Sequence, residues 1–207
     1  MKKITTLVCA GLVLAVSAFA DITFGARGNF ALGIGTTTNI TGAQTNNLRS
    51  VDYGATVFGK FPVSVVNNMY VQPELGFNRY TTSLKMNDSD IKATIGYNAI
   101  ILPVLVSYDI PINQSFSLYM AGGPRFSFIT GDMSYTQKSV TVKNDPDSRI
   151  MVGAIAGLGA QYALSTNACL VTDLRYDFGV SPLKFKDASE EIKPRGLNFS
   201  AGFTLTF

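Results

Sequence analysis

The sequence predicts an all-β chain closed into an eight-stranded antiparallel up-and-down transmembrane β-barrel. Three observations carry that reading. At the end of the chain Leu197, Phe199, Ala201, Phe203, Leu205 and Phe207 alternate with Asn198, Ser200, Gly202, Thr204 and Thr206. Successive side chains of a strand point to opposite faces, so this stretch has one apolar and one polar face. The links between such stretches run long, short, long, short, long, short, long, as in a barrel with tight turns on one rim and long loops on the other. Charge is sparse, 15% of residues against 46% hydrophobic, and no run is long enough to form a spanning helix.

Residues 1–20 read as a secretion signal and residues 21–207 as one barrel domain. Lys2 and Lys3 open the leader, an apolar run follows, and the small residues Ala18 and Ala20 mark the expected cleavage point before Asp21. Cys9 sits inside the apolar run without the small pair that lipid attachment requires. Once the leader is removed Cys169 is alone, which excludes an internal disulfide. Losing Lys2 and Lys3 also brings the net charge of +3 close to balance, so no nucleic-acid partner is expected.

The strands follow in order. Ile22, Phe24, Ala26, Phe30, Leu32 and Ile34 oppose Thr23, Gly25, Arg27, Asn29 and Gly33. A Thr/Asn/Gly-rich loop over residues 36–50 leads to Val51, Tyr53, Ala55, Val57 and Phe61, opposite Asp52, Thr56 and Lys60. After a short link, Met69, Val71, Leu75 and Phe77 oppose Gln72, Glu74, Gly76 and Asn78. A polar loop over residues 80–90 precedes a fourth strand, 91–110, that is apolar on both parities in its later half. Pro103 lacks the N–H a ladder needs, so a bulge or a gap is expected there. Phe116, Leu118, Met120, Phe126 and Phe128 then oppose Ser117, Tyr119, Ala121, Arg125 and Ser127. The longest loop, 130–149, leads to a Gly/Ala-rich strand over 150–164 and a tight turn at 165–167. Leu170, Leu174, Tyr176 and Phe178 oppose Val171, Asp173, Arg175 and Asp177, and a charged loop over 181–195 leads to the last strand.

Alternation alone does not say which face is inside. A soluble lipocalin-like carrier would turn its apolar face inward. Here the charges share the non-aromatic parity, and aromatics recur near the ends of the other, which places the aromatic face in lipid. Counting from the short-turn rim sets Arg27, Glu74, Asp173 and Arg175 at similar heights. Arg125, Asp52 and Asp177 form a second tier nearer the long loops. Unpaired charges in a narrow lumen are costly, so opposite signs at matched heights are expected to pair.

The stretch Leu102-Pro-Val-Leu-Val-Ser-Tyr108, then Ser117-Leu-Tyr-Met-Ala-Gly-Gly-Pro124, Asp173-Leu-Arg-Tyr-Asp-Phe-Gly179 and the terminal Phe207 resemble the small outer-membrane β-barrel domain family. That group includes OmpA-, OmpX- and OmpW-like barrels. The resemblance implies an outer-membrane location and contact with outer-membrane lipid. It implies that Phe203, Leu205 and Phe207 are the signal read by the barrel-assembly machinery; with the sequence ending at Phe207, the peptidoglycan-binding domain of full OmpA-like proteins is expected to be absent.

Outer-membrane lipases, acyltransferases, deacylases and omptin-like proteases resemble one another in using a histidine as base or shuttle. This sequence has none, so it is not expected to be an enzyme. No cofactor is expected. Asp88 with Asp90, and Asp145 with Asp147, are too weakly spaced to assign a metal site. The expected role is a non-catalytic monomeric barrel with a charge-plugged narrow lumen, four surface loops open to a host or surface ligand, and a part in membrane integrity. The alternatives are a narrow OmpW-like channel for small or hydrophobic solutes and, second, a soluble lipocalin-like carrier.

Overall fold

A computed structural model describes residues 22–33, 37–38, 49–85, 92–137, 140–181, 183–184, 191–193 and 195–207. The predicted signal segment, with Ala18 and Ala20, and the acidic pair Asp88 and Asp90 lie outside them. Eight long strands close a barrel: β1 (Thr23–Gly33), β2 (Arg49–Pro62), β3 (Met69–Lys85), β4 (Lys92–Pro111), β5 (Phe116–Gln137), β6 (Ile150–Ala163), β7 (Ala168–Gly179) and β8 (Arg195–Thr206). Each pairs antiparallel with its chain neighbours, and β1 pairs with β8 from Thr23↔Thr206 to Leu32↔Leu197. Closure leaves these strands no unpaired edge in the apolar zone, which hydrocarbon could not satisfy.

The parity of the sequence sets the two faces. Phe24, Phe30, Tyr53, Val57, Leu75, Phe77, Phe199 and Phe203 are exposed on the outer wall, whereas Arg27, Asp52, Lys60, Glu74, Arg125, Asp173 and Arg175 are buried inside. A soluble lipocalin-like carrier would have the reverse arrangement. Ile22 departs from its expected place in the outer row and is buried. It precedes the first paired residue of β1, and its carbonyl accepts the Phe207 amide at 3.0 Å.

Two strands, β3 and β5, run well past the expected loop boundaries, and β4 keeps the length expected of it. β3 continues to Lys85, β4 has 20 residues and β5 has 22, against the roughly 9–11 a tilted crossing requires. The segment expected as loop from Thr130 is still strand to Gln137, and Val140–Asn144 folds back on it as a hairpin. The β-branched residues there prefer extended backbone, and cross-strand pairing overrides their polar composition. Thr37–Thr38, Glu191–Lys193 and Leu183–Lys184 form a small separate sheet that joins the first and last long connections.

Prolines interrupt the ladder without shifting it. Pairing of β2 with β3 breaks between Phe58↔Glu74 and Phe61↔Val71, beside Pro73. Between β3 and β4 it breaks from Pro73↔Val104 to Gly76↔Ile101, beside Pro103, and between β4 and β5 from Pro103↔Arg125 to Val106↔Gly122, beside Pro124. Of the two expectations for Pro103, the gap is therefore the one realised. The bulge lies farther out, between Gly96 and Asn98, where β5 turns through Gly131 at φ 75°.

The Gly/Ala richness of β6 has a packing reason. A Cβ on Gly159 would lie 2.2 Å from the Tyr119 ring, one on Gly157 2.6 Å from Arg175 Cγ, and one on Gly153 3.3 Å from Arg125 Nη2. This wall is thin so that three large lumen side chains can lie against it. Gly159→Val is expected to prevent closure, seen as loss of the compact, heat-sensitive gel band, while Gly28→Ala, with open space around it, keeps the band.

Candidate functional site: a charged lumen

The interior is filled in three storeys. The middle one is a closed ring of four charges. Arg27 Nη2 meets Glu74 Oε2 and Arg27 Nη1 donates to Asp173 Oδ2 at 2.9 Å; Arg175 Nη1 lies 3.0 Å from Glu74 and Arg175 Nη2 3.1 Å from Asp173. Each guanidinium therefore faces two carboxylates and each carboxylate two guanidiniums. The planar fork of arginine makes such bridging possible where a lysine would supply one point charge. No side chain of the ring is more than 6% exposed. Tyr119 Oη donates to Asp173 at 2.8 Å, Ser200 Oγ at 2.5 Å, and Gln72 Nε2 donates to Glu74 at 2.6 Å. The guanidinium of Arg27 lies over the Phe58 ring, 4.6 Å from its centroid.

The storey nearer the short turns was only half visible in the sequence. Lys60 stands on the polar parity of its strand, but the sequence pattern alone names no partner for it. Its Nζ donates to both oxygens of Asp109 at 2.8 Å, Gln161 adds a donor at 3.0 Å, and the rings of Tyr70 and Tyr119 flank the ammonium at 5.1 and 4.9 Å. Asp109 also lies on the lumen parity of β4, and Lys60 and Asp109 both sit close to the short-turn rim. That shared height was the available signal.

In the storey toward the long loops Arg125 Nη1 is 3.4 Å from Asp177 Oδ2. Asp52 was expected in this tier among pairing charges. It instead accepts the Thr81 amide at 3.2 Å and makes no ion pair among the described residues. The β2–β3 ladder is open from Ser50↔Thr82 to Tyr53↔Arg79, so the Asp52 carboxylate takes over a backbone donor that the sheet leaves free. Tyr80 and Tyr97 stack above, with centroids 4.9 Å apart and planes at 14°.

Other predicted positions lie apart. Phe203, Leu205 and Phe207 are exposed on the outer wall, Phe207 edge-on to Phe24 with centroids 6.2 Å apart. Asp145 pairs with Arg149 at 2.8 Å on the surface. Cys169 is unbridged and half-buried. Among the described residues no group of acidic, histidine or cysteine side chains is placed to form a conventional metal cluster.

An apolar outer wall around a lumen of paired charges defines an integral membrane β-barrel. The chain belongs to the outer membrane protein beta-barrel domain family, whose model matches residues 15–184. That membership places it in the outer membrane. The outer membrane protein OprG from Pseudomonas aeruginosa is similar in fold, with a TM-score of 0.65 at 12% identity over 91% of this chain and 96% of that one. Neisserial surface protein A (NspA) gives a TM-score of 0.50 at 15% identity over 90% and 97%. No curated protein matches the sequence.

Truncating one member of a buried ion pair leaves an uncompensated charge, a loss of about 3–5 kcal/mol. Glu74→Gln, which leaves two guanidiniums without that charge, is expected to lower stability by that order in urea-induced unfolding from detergent. Arg149→Ala, in an exposed pair, is expected to cost no more than about 1 kcal/mol. Equal losses in the two variants would contradict a stabilising ring.

Proposed function

We propose that the protein is a non-catalytic barrel with a sealed lumen, anchored in outer-membrane lipid to carry the outward extensions of β3, β4 and β5 at the cell surface. The four-charge ring of Arg27, Glu74, Asp173 and Arg175 carries this reading. An eight-stranded barrel is just wide enough to be filled by its own side chains, and a ring bridged from β1 to β3 and β7 supports a lumen without a continuous polar path. The storeys of Lys60–Asp109 and Arg125–Asp177 add closures on either side. Strands that run far beyond the membrane support surface contact with a host or surface ligand. The outward-facing Phe203, Leu205 and Phe207 suit the role of assembly signal for the barrel-assembly machinery.

A second reading, a sideways route for hydrophobic solutes, draws on the ladder gaps at Pro73, Pro103 and Pro124, which weaken one side of the wall. Planar-bilayer recording separates the two. The wild-type barrel is expected to show no ion conductance, and Arg27→Ala combined with Arg175→Ala is expected to open small current steps. Steady wild-type conductance would overturn the sealed lumen. Uptake of a hydrophobic dye into vesicles by a non-conducting barrel, lost on Pro103→Val, would favour the sideways route.

A further inference from the structure

Among the described residues, the storey nearest the long loops holds one carboxylate more than it has cations to match. The central ring sets two guanidiniums against two carboxylates, and Lys60 is matched by Asp109. Arg125 is matched by Asp177, which leaves Asp52, 7% exposed, with only the Thr81 amide. A buried carboxylate without a counter-charge is costly.

The wall at this height is built from the smallest residues. Ala31 lies between Asp52 on β2 and Asn198 on β8 in one paired row, so only a methyl group stands between the two positions along the wall. Gly196 faces Asp177 across β8 and β7, and a Cβ on it would lie 3.1 Å from the Leu32 carbonyl oxygen. Asn198 Oδ1, Asn78 Oδ1 and Asp177 Oδ1 are buried and find no hydrogen-bond partner among the described residues. Asn78 and Asn198 are themselves 3% and 9% exposed. Buried acceptors without donors are rare in folded proteins, and these share a storey with the unmatched carboxylate. Arg125 reaches Asp177 through Oδ2, so the Oδ1 atom is left for another partner.

We propose that this storey binds one alkali-metal cation, held by the carboxylates of Asp52 and Asp177 and the side-chain oxygen of Asn198. The donors are all oxygen, which suits hard cations. One positive charge brings the storey to neutrality. A divalent ion such as calcium would leave the storey over-charged. The proposal goes beyond the sealed-barrel reading and does not depend on whether the lumen conducts.

The test is thermal unfolding of the detergent-solubilised barrel in sodium, potassium or N-methylglucamine chloride at equal ionic strength. Sodium or potassium is expected to raise the wild-type midpoint by about 2–4 °C over the bulky organic cation. Asp52→Asn keeps an acceptor for the Thr81 amide and removes the surplus charge. It is expected to raise the midpoint in N-methylglucamine and abolish the dependence on cation. Asn198→Ala is expected to raise several-fold the sodium concentration that gives half the effect. A wild-type midpoint identical in all three salts, as when a proton neutralises Asp52 instead, would overturn the site, as would an undiminished sodium shift in Asp52→Asn.

Discussion

The structure depends on the neutralisation of charge inside a closed, narrow wall. A barrel in hydrocarbon must turn its polar parity inward, and at eight strands the interior is too small for bulk water to solvate what it receives. Arg27, Glu74, Asp173 and Arg175 are therefore stable only as a set. Each corner of the ring is bridged twice, and Tyr119, Ser200 and Gln72 supply the remaining donors to the carboxylates. The ring also ties β1, β3 and β7 across the lumen, which strand pairing between neighbours does not do.

Other features follow from fitting such large groups. Three glycines of β6 give up side chains so that Arg125, Arg175 and Tyr119 can lie against the wall. Glycine in a strand interior usually weakens it, and here the loss is offset by the interactions it makes room for. The prolines act differently. Pro73, Pro103 and Pro124 remove ladder donors on three adjacent strands, yet the register on both sides of each gap is unchanged, because the alternation of apolar and polar residues fixes it.

The barrel is uneven along its axis. Around the short turns the Lys60–Asp109 storey is compact and bracketed by tyrosines, whereas the far storey mixes one ion pair, a carboxylate bound to a backbone amide and several unmatched oxygens. Beyond it β3, β4 and β5 keep pairing with one another, and Val140–Asn144 adds to that sheet.

Fold class, the eight strands, the faces of the strands that alternate cleanly and the identity of most lumen charges were legible in the sequence alone. Period-two alternation is a local property, and the opposition of Phe199 to Ser200 is legible without knowing what either touches. Strand ends were less legible: the polar stretch after Phe128 looks like loop until its pairing with β4 and with Val140–Asn144 is known. Counting along the strands sets Arg27, Glu74, Asp173 and Arg175 at one height, but only the tertiary structure decided that each of them bridges two partners and that Lys60 meets Asp109, 49 residues away. The stagger of the closed barrel sends Asp52 to a backbone amide instead of an arginine, which no count of residues along single strands could foresee.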